Sequence, residues 1–208
     1  MKLRFSDVLE MTTEMGSTTF TTVSAQWKDV CVSQSFGEHG LKVTLSADET
    51  PVKYIRLRWN FTADERRTEP VRILGDEWER GYGEMEWRGI VAERNMPWVC
   101  AVSNGTDSHP DTAGRYTECF GVMVRPAGFC MWRYDSHGVT LEIDVRNGGS
   151  GVILSGRRLD VCEIRFGEYR DVSAFAALVG FGGAPRASIY MGRKDKESAE
   201  KTDRKSVV

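Results

Sequence analysis

Strict alternation of apolar and polar residues is the feature that most limits what this chain can fold into. It is clearest over residues 139–146, where the two kinds of side chain take turns along VTLEIDVR. The same alternation runs through 52–61, where Ile55, Leu57 and Trp59 fall on one side and Arg56 and Arg58 on the other. A period of two is that of a β-strand with one face in the core and one in water. Both segments are predicted to be half-buried strands.

Many more short segments have strand-like composition, and turn-forming sequences such as GEHG at 37–40 and DSHG at 135–138 separate them. The further predicted strands are 27–36, 41–47, 71–74, 84–91, 98–102, 117–125, 129–134 and 159–166. NGGSG at 147–151 is interpreted as a hairpin turn. Only 172–179 predicts a helix, and it is short. Strands without alternating helices predict an all-β fold, an antiparallel, supersandwich-like β-sandwich.

The C-terminal part of the chain differs in composition from the rest. Glycines cluster at 180–183, and a charged run with almost no apolar residue follows from 193 to 205. Such a run cannot bury enough surface to offset the entropy of ordering it. We therefore expect a β-sandwich domain over 1–175, and over 176–208 a Gly-rich segment with a disordered polar tail.

The charge balance bears on the partners. Lys and Arg number 28 and Asp and Glu 30, a net charge of −2, so no positive field covers the chain that would attract nucleic acid. The N-terminal sequence lacks the pattern of a signal peptide, and no stretch reaches the 18 apolar residues of a membrane span. We expect no nucleic acid or membrane partner and a cytoplasmic location.

The cysteines and histidines follow no ligand pattern. The five cysteines are scattered without a CxxC pair, and the three histidines each lie beside a turn-forming residue. The cysteines are interpreted as reduced packing residues, and we expect neither a disulfide framework nor a metal site. No cofactor motif is found either.

The most unusual segment is RILGDEWERGYGEMEWRG at 72–89, which concentrates aromatic and acidic side chains. Aromatic rings stack on sugar C–H surfaces, and carboxylates and arginine bind hydroxyls, so it can be a sugar-facing edge. The residues themselves favour the alternative that its aromatic side chains pack beneath a loop while its acids pair with nearby arginines. The candidate carbohydrate-binding residues are Asp76, Glu77, Trp78, Arg80, Tyr82 and Trp87.

Four motifs in order carry a resemblance to a known family: ILGDEWERGYGEMEWRG at 73–89, ERNMPW at 93–98, GFCMWRYDSHG at 128–138 and LEIDVRNGGSGVILSGRRLD at 141–160. Over about 52–175 the chain resembles the N-terminal β-sandwich of bacterial α-galactosidase-like proteins, melibiase-type enzymes related to glycoside hydrolase family 36. The resemblance implies that a following (β/α)₈ barrel supplies the two catalytic aspartates of a retaining mechanism, and that the sandwich lends a loop, here 76–87, to the rim of a galactoside pocket.

A barrel takes about 250 residues, far more than follow position 175 in this sequence. The expectation is a non-catalytic sandwich, either truncated before its barrel or paired with a separately encoded one. Two alternatives remain. One is an independent lectin-like, carbohydrate-binding module. The other is a small glycosidase that uses Glu84 and Glu86, which on one strand would lie about 6.6–7 Å apart, although two carboxylates on one side of a strand cannot easily flank a sugar ring.

Overall fold

A computed structural model describes residues 1–66, 71–75, 87–103 and 117–180. Thirteen strands and one helix lie within these residues. In chain order they are β1 (Val8–Thr13), β2 (Gly16–Phe20), β3 (Ser24–Trp27), β4 (Val30–Phe36), β5 (Leu41–Ser46), β6 (Val52–Asn60), β7 (Arg72–Gly75), β8 (Met96–Pro97), β9 (Val99–Ser103), β10 (Thr117–Val122), β11 (Phe129–Asp135), β12 (Gly138–Asp144), β13 (Arg158–Tyr169) and α1 (Val172–Leu178).

The strands form two sheets in which neighbours pair antiparallel. The six-stranded sheet has the order β2-β1-β6-β12-β11-β8, and the seven-stranded sheet has the order β3-β4-β5-β13-β10-β9-β7. The predicted all-β class and antiparallel sandwich are confirmed. The chain changes sheet several times, so neither sheet comes from one continuous part of the sequence.

The two strands with the strictest alternation lie side by side at the centre of the six-stranded sheet. β6 and β12 pair with Leu57 opposite Leu141 and Ile55 opposite Ile143. All four side chains are fully buried, while the polar residues between them lie on the outer face. A slip of one residue would turn this apolar set toward water, so the hydrophobic pattern fixes the register.

An aromatic cluster joins the two sheets. Trp59 and Trp132 come from the six-stranded sheet, and Phe120 and Phe166 come from the seven-stranded one. Ring centroids lie 5.7 Å apart for Phe120 and Trp132 and 5.4 Å apart for Trp59 and Phe166. Each indole N–H donates a hydrogen bond to a backbone carbonyl oxygen. The cluster therefore fills the core between the sheets without leaving a buried indole donor unsatisfied.

The helix α1 packs on the outer face of the seven-stranded sheet, where Phe175 and Val179 form a second apolar cluster with Val99, Ala101 and Cys119 of β9 and β10. The predicted helix at 172–179 is confirmed to within one residue. No helix in the described ranges has the length and apolar character needed to span a membrane.

The segment 27–36, predicted as one strand, is divided into β3 and β4 by a tight turn. Lys28 has the left-handed φ of 57°, and the carboxylate of Asp29 accepts hydrogen bonds from the backbone N–H groups of Asp48, Glu49 and Thr50. Hydrogen bonds from the Thr50 hydroxyl and from the backbone N–H groups of Thr50 and Glu49 hold the pKa of Asp29 well below its ordinary value. The turn between β3 and β4 is thus fixed by contacts with residues about twenty positions further along the chain.

The C-terminal segment is described only in part. The expected domain boundary at 175/176 falls within α1, where Ala176 is buried. Residues 181–208 lie outside the described residues, so the disordered tail stays a prediction.

Candidate functional site

Most of the candidate sugar-binding residues lie outside the described part of the chain: Asp76, Glu77, Trp78, Arg80 and Tyr82. Glu84 and Glu86 of the alternative glycosidase do so as well. Trp87 is described, and so are both ends of the segment, since the chain leaves β7 at Gly75 and resumes at Trp87. The structure therefore shows how segment 76–86 is attached to the sandwich.

Backbone hydrogen bonds hold the two ends of this segment together. Ile73 and Arg88 exchange two of them, with N···O distances of 2.7 and 2.9 Å. Ile73 is in turn paired with Val102 of β9. The returning chain is thus joined to the edge strand of the seven-stranded sheet. A strand was predicted over 84–91, and among its described residues, 87–91, Arg88 alone forms a bridge.

The guanidinium of Arg94 closes the same base from the following loop. It donates hydrogen bonds to the carbonyl oxygens of Ile73 and Gly75, at 3.3 Å for Ile73. Gly75 also lies against Met96, and a Cβ at position 75 would overlap the Met96 side chain. Side chain, backbone and core contacts together fix the point at which segment 76–86 begins.

Trp87 is half-buried and packs against the apolar cluster on the outer face of the seven-stranded sheet, together with Leu74. Its indole therefore contributes to holding the returning chain on the sheet. Two exposed apolar residues, Ile90 and Val91, follow it. The described surface beside the segment combines an anchored tryptophan with exposed aliphatic groups.

The charged groups on the outer face of the six-stranded sheet form a second cluster, which the sequence analysis did not identify. Arg56 donates to Glu142 at 3.1 and 2.7 Å and to Glu10 at 2.8 Å. Arg58 binds both carboxylate oxygens of Asp135, at 2.6 and 2.8 Å. The alternation had placed the two arginines on a wet face, but only the strand register brings Glu10 and Glu142 opposite Arg56.

The pKa of Asp135 reflects this pairing. Partial burial would raise it, but the hydrogen bonds from Arg58 and from the backbone at 137 and 138 outweigh burial and lower it. A general acid needs a raised carboxyl pKa near neutral pH. Because arginines bind the carboxylates of Glu10, Glu142 and Asp135, the cluster has the character of a structural network.

The five cysteines are free thiols, and four of them are buried. Burial raises the pKa of Cys100 well above its usual range and that of Cys119 to about 12. Such thiols are poor nucleophiles because the thiolate is the reactive form. Among the described residues, no group of three or more His, Cys, Asp and Glu side chains is placed to hold a metal ion.

The candidate site is therefore the anchored base of segment 76–86 at the edge of the seven-stranded sheet. No family model matches the chain, and no curated protein or solved structure matches it either. The resemblance to α-galactosidase-like proteins accordingly rests on the four sequence motifs.

Proposed function

We propose that this chain is a non-catalytic β-sandwich domain of an α-galactosidase-like glycoside hydrolase, and that segment 76–86 contributes to the rim of its galactoside site. One observation carries the proposal: both ends of that segment are fixed at the sheet edge by the Ile73–Arg88 pair and by Arg94. Binding residues are often found on loops held by a rigid scaffold.

The anchoring matters because binding must offset the cost of ordering the binding residues. A loop with fixed ends has fewer conformations to lose than a free one. The residue types of the segment supply the chemistry: Trp78 and Tyr82 for stacking on a sugar ring, and Asp76, Glu77 and Arg80 for hydrogen bonds to hydroxyls. The base of the segment and its composition therefore favour the same role.

The carboxylates of the described face support the non-catalytic part of the proposal. A retaining glycosidase needs a nucleophile and an acid/base group about 5–5.5 Å apart, and the acid needs a raised pKa. Glu142 and Asp135 instead bind arginines, and the pKa of Asp135 is lowered. The proposal assigns the catalytic aspartates to a barrel, as in the enzymes that the chain resembles.

An independent carbohydrate-binding module is the second candidate, and α1 favours it. In a domain that requires a neighbour, an apolar outer face would be left for that neighbour to cover. Here the apolar residues of β9 and β10 are covered by Phe175 and Val179 of the chain's own helix. This part of the sandwich needs no second domain to shield it.

Calorimetric titration of the purified chain with galactose and raffinose tests both candidates. A rim that holds only part of a sugar should bind weakly, with a Kd of about 10–50 mM, whereas a module should reach about 1 mM or below. Trp78→Ala should weaken binding at least about tenfold. Trp27→Ala, at the opposite edge of the same sheet, is the matched control, with folding checked by circular dichroism.

Three results would contradict the proposal. Absence of binding up to about 50 mM sugar would exclude both candidates. Binding that survives Trp78→Ala would place the sugar elsewhere on the sandwich. Hydrolysis of a chromogenic galactoside by the chain alone, lost in Glu84→Gln, would show that the chain carries its own catalytic carboxylates.

A further inference from the structure

In the described part of the chain, the two sheets end in four edge strands. They are β2 and β8 on the six-stranded sheet and β3 and β7 on the seven-stranded sheet. The outer side of an edge strand carries backbone N–H and C=O groups that can pair with a further strand. Proteins usually block such an edge by keeping it short, by proline, by charged side chains or by covering it. The four edges differ in how far they are blocked.

Three of the edges are short or blocked. β8 has only two residues, and the second is Pro97, which has no N–H to donate. β7 has four residues and is bridged by Arg88 at Ile73. β3 also has four residues, and Lys28 follows it directly in a left-handed conformation. These three edges are therefore poor sites for a further strand.

The strand β2 has a longer and more regular edge. Its five residues, Gly16–Phe20, pair with β1 in a continuous register. The sequence from Met15 to Trp27 contains neither a charged residue nor a proline. Ser17 and Thr19 are exposed, whereas Phe20 packs against the core. Within the described ranges, β2 is thus anchored on one side by β1 and open on the other.

The register of the β1–β2 hairpin indicates which backbone groups point to the open side. Thr12 and Ser17 lie directly opposite each other, and their hydroxyl oxygens are 2.8 Å apart. Such close side chains are typical of a non-hydrogen-bonded pair, whose backbone N–H and C=O groups point away from the neighbouring strand. The two kinds of pair alternate along a ladder, so Thr19 has the same orientation as Ser17. Each of these two residues presents one donor and one acceptor to the open side.

We propose that β2 is an interaction surface for a second copy of this chain. The second copy adds its own β2 antiparallel to the first, and the two six-stranded sheets become one continuous sheet. A two-fold axis at Thr18 sets Ser17 of each copy opposite Thr19 of the other. Each such pair exchanges two backbone hydrogen bonds, which gives about four for the dimer.

The composition of β2 favours a copy of itself as the partner. In a two-fold pair a strand meets its own sequence, so charged residues on it would bring like charges close together. β2 has no charged residue, and hydroxyl side chains on opposite strands stabilise their pairing through hydrogen bonds. The ammonium of Lys28 contacts Met15 at the turn, outside the paired residues. A net charge of −2 adds little general repulsion between copies.

The pairing is expected to be weak. A stable interface buries about 1,200–2,000 Å², and two strands of this length bury considerably less. We expect a Kd of about 100 µM, so that the chain is monomeric at about 1 µM and largely dimeric at about 1 mM. The surface therefore supports a reversible dimer and not a permanent one.

The test measures association and its location together. Sedimentation velocity should show a sedimentation coefficient that rises with concentration from about 10 µM to about 1 mM. Over the same range, amide NMR spectra should shift for β2, most of all for Ser17 and Thr19. Thr19→Pro should raise the Kd at least about tenfold, because proline removes an N–H on the open side and leaves the hydrogen bonds with β1 in place.

Gln26→Pro is the matched control, since it places the same residue on the edge strand β3 of the other sheet. It should leave the Kd unchanged, and circular dichroism checks that both variants fold.

The unmodified chain alone can overturn the proposal. A sedimentation coefficient that stays monomeric up to about 1 mM would exclude the dimer. Association with amide shifts confined to other strands would place the contact elsewhere, and growth beyond a dimer would contradict a closed two-fold pair. An effect of Gln26→Pro without an effect of Thr19→Pro would assign the contact to β3.

Discussion

The strands β10 and β12 are both buried over six consecutive residues, but they are covered in different ways. On the outer face of β12, Thr140 and Glu142 lie beneath Arg58 and Arg56 of the neighbouring strand β6, which bind them through hydrogen bonds. On the outer face of β10, Cys119 and Gly121 lie beneath Phe175 of α1. One sheet is thus covered by paired charges and the other by a helix.

The difference shows that burial along a whole strand has two physical origins. Arginine side chains cover a polar face with their methylene stems while their charged ends stay near water. An apolar face instead requires a second layer, which must approach closely. Gly121 permits that approach, since a Cβ at this position would lie 3.0 Å from the ring of Phe175. We call α1 on the seven-stranded sheet the helical cover and the arginines with their carboxylate partners on the six-stranded sheet the ionic cover. The helical cover should contribute more to stability than the ionic cover.

The largest effect is expected from removing the helical cover. Phe175→Ala should lower the free energy of unfolding by about 3–5 kcal/mol, because the ring is fully buried and its loss leaves a cavity. Urea denaturation followed by circular dichroism measures the change. Leu178→Ala, on the same helix but 41% exposed, should cost under about 1 kcal/mol. Equal losses from the two variants would mean that α1 does not cover the sheet as described.

Removing one carboxylate of the ionic cover should lower the free energy of unfolding by a smaller amount. Glu142→Gln should cost about 1–3 kcal/mol, because Arg56 loses the more buried of its two carboxylate partners, a glutamate that is only 8% exposed. The control is Glu10→Gln on the same arginine, whose more exposed pair should cost under about 1 kcal/mol. If Glu142→Gln lowered the free energy of unfolding more than Phe175→Ala in the same experiment, the ion pairs and not the helix would contribute more to stability.

The smallest effect is a pH dependence of the ionic cover. The pKa of Asp135 is lower in the folded chain than its ordinary value, so its stabilisation is complete above the unfolded pKa of about 4 and is lost as the pH falls through the folded value. Asp135→Asn should therefore cost about 1 kcal/mol at pH 7. That difference should shrink below about pH 4. A constant difference from pH 7 to pH 3 would show that the ionised form is not what stabilises the face.

Local pattern was enough to identify most of the sheet strands. The alternation around Leu57 and Leu141 predicted β6 and β12, and the short predicted strand at 98–102 corresponds to β9. The hairpin of β1 and β2 was missed, although Leu9 and Met11 alternate with polar residues and are fully buried. The hairpin is rich in threonine, so its two faces differ little in hydrophobicity. Its strands became identifiable only from the pairing of β1 with β6.

The sequence predicted which residues form the candidate site, but it did not predict how segment 76–86 is joined to the sheet. Clustered aromatic and acidic residues pointed to 76–87, whereas the same motifs did not indicate that Ile73 pairs with Arg88 or that Arg94 binds backbone carbonyl oxygens. Hydrogen bonds to backbone carbonyl oxygens depend on where the chain runs, and side-chain type alone does not indicate them.

The sequence by itself determined the class of fold, because a period of two in hydrophobicity can bury its apolar side only as a strand in a sheet. The tertiary structure decided which strands are neighbours, how each outer face is covered, and which distant residues touch. Those contacts join residues far apart in the chain, and their free energy depends on distances that no local pattern encodes.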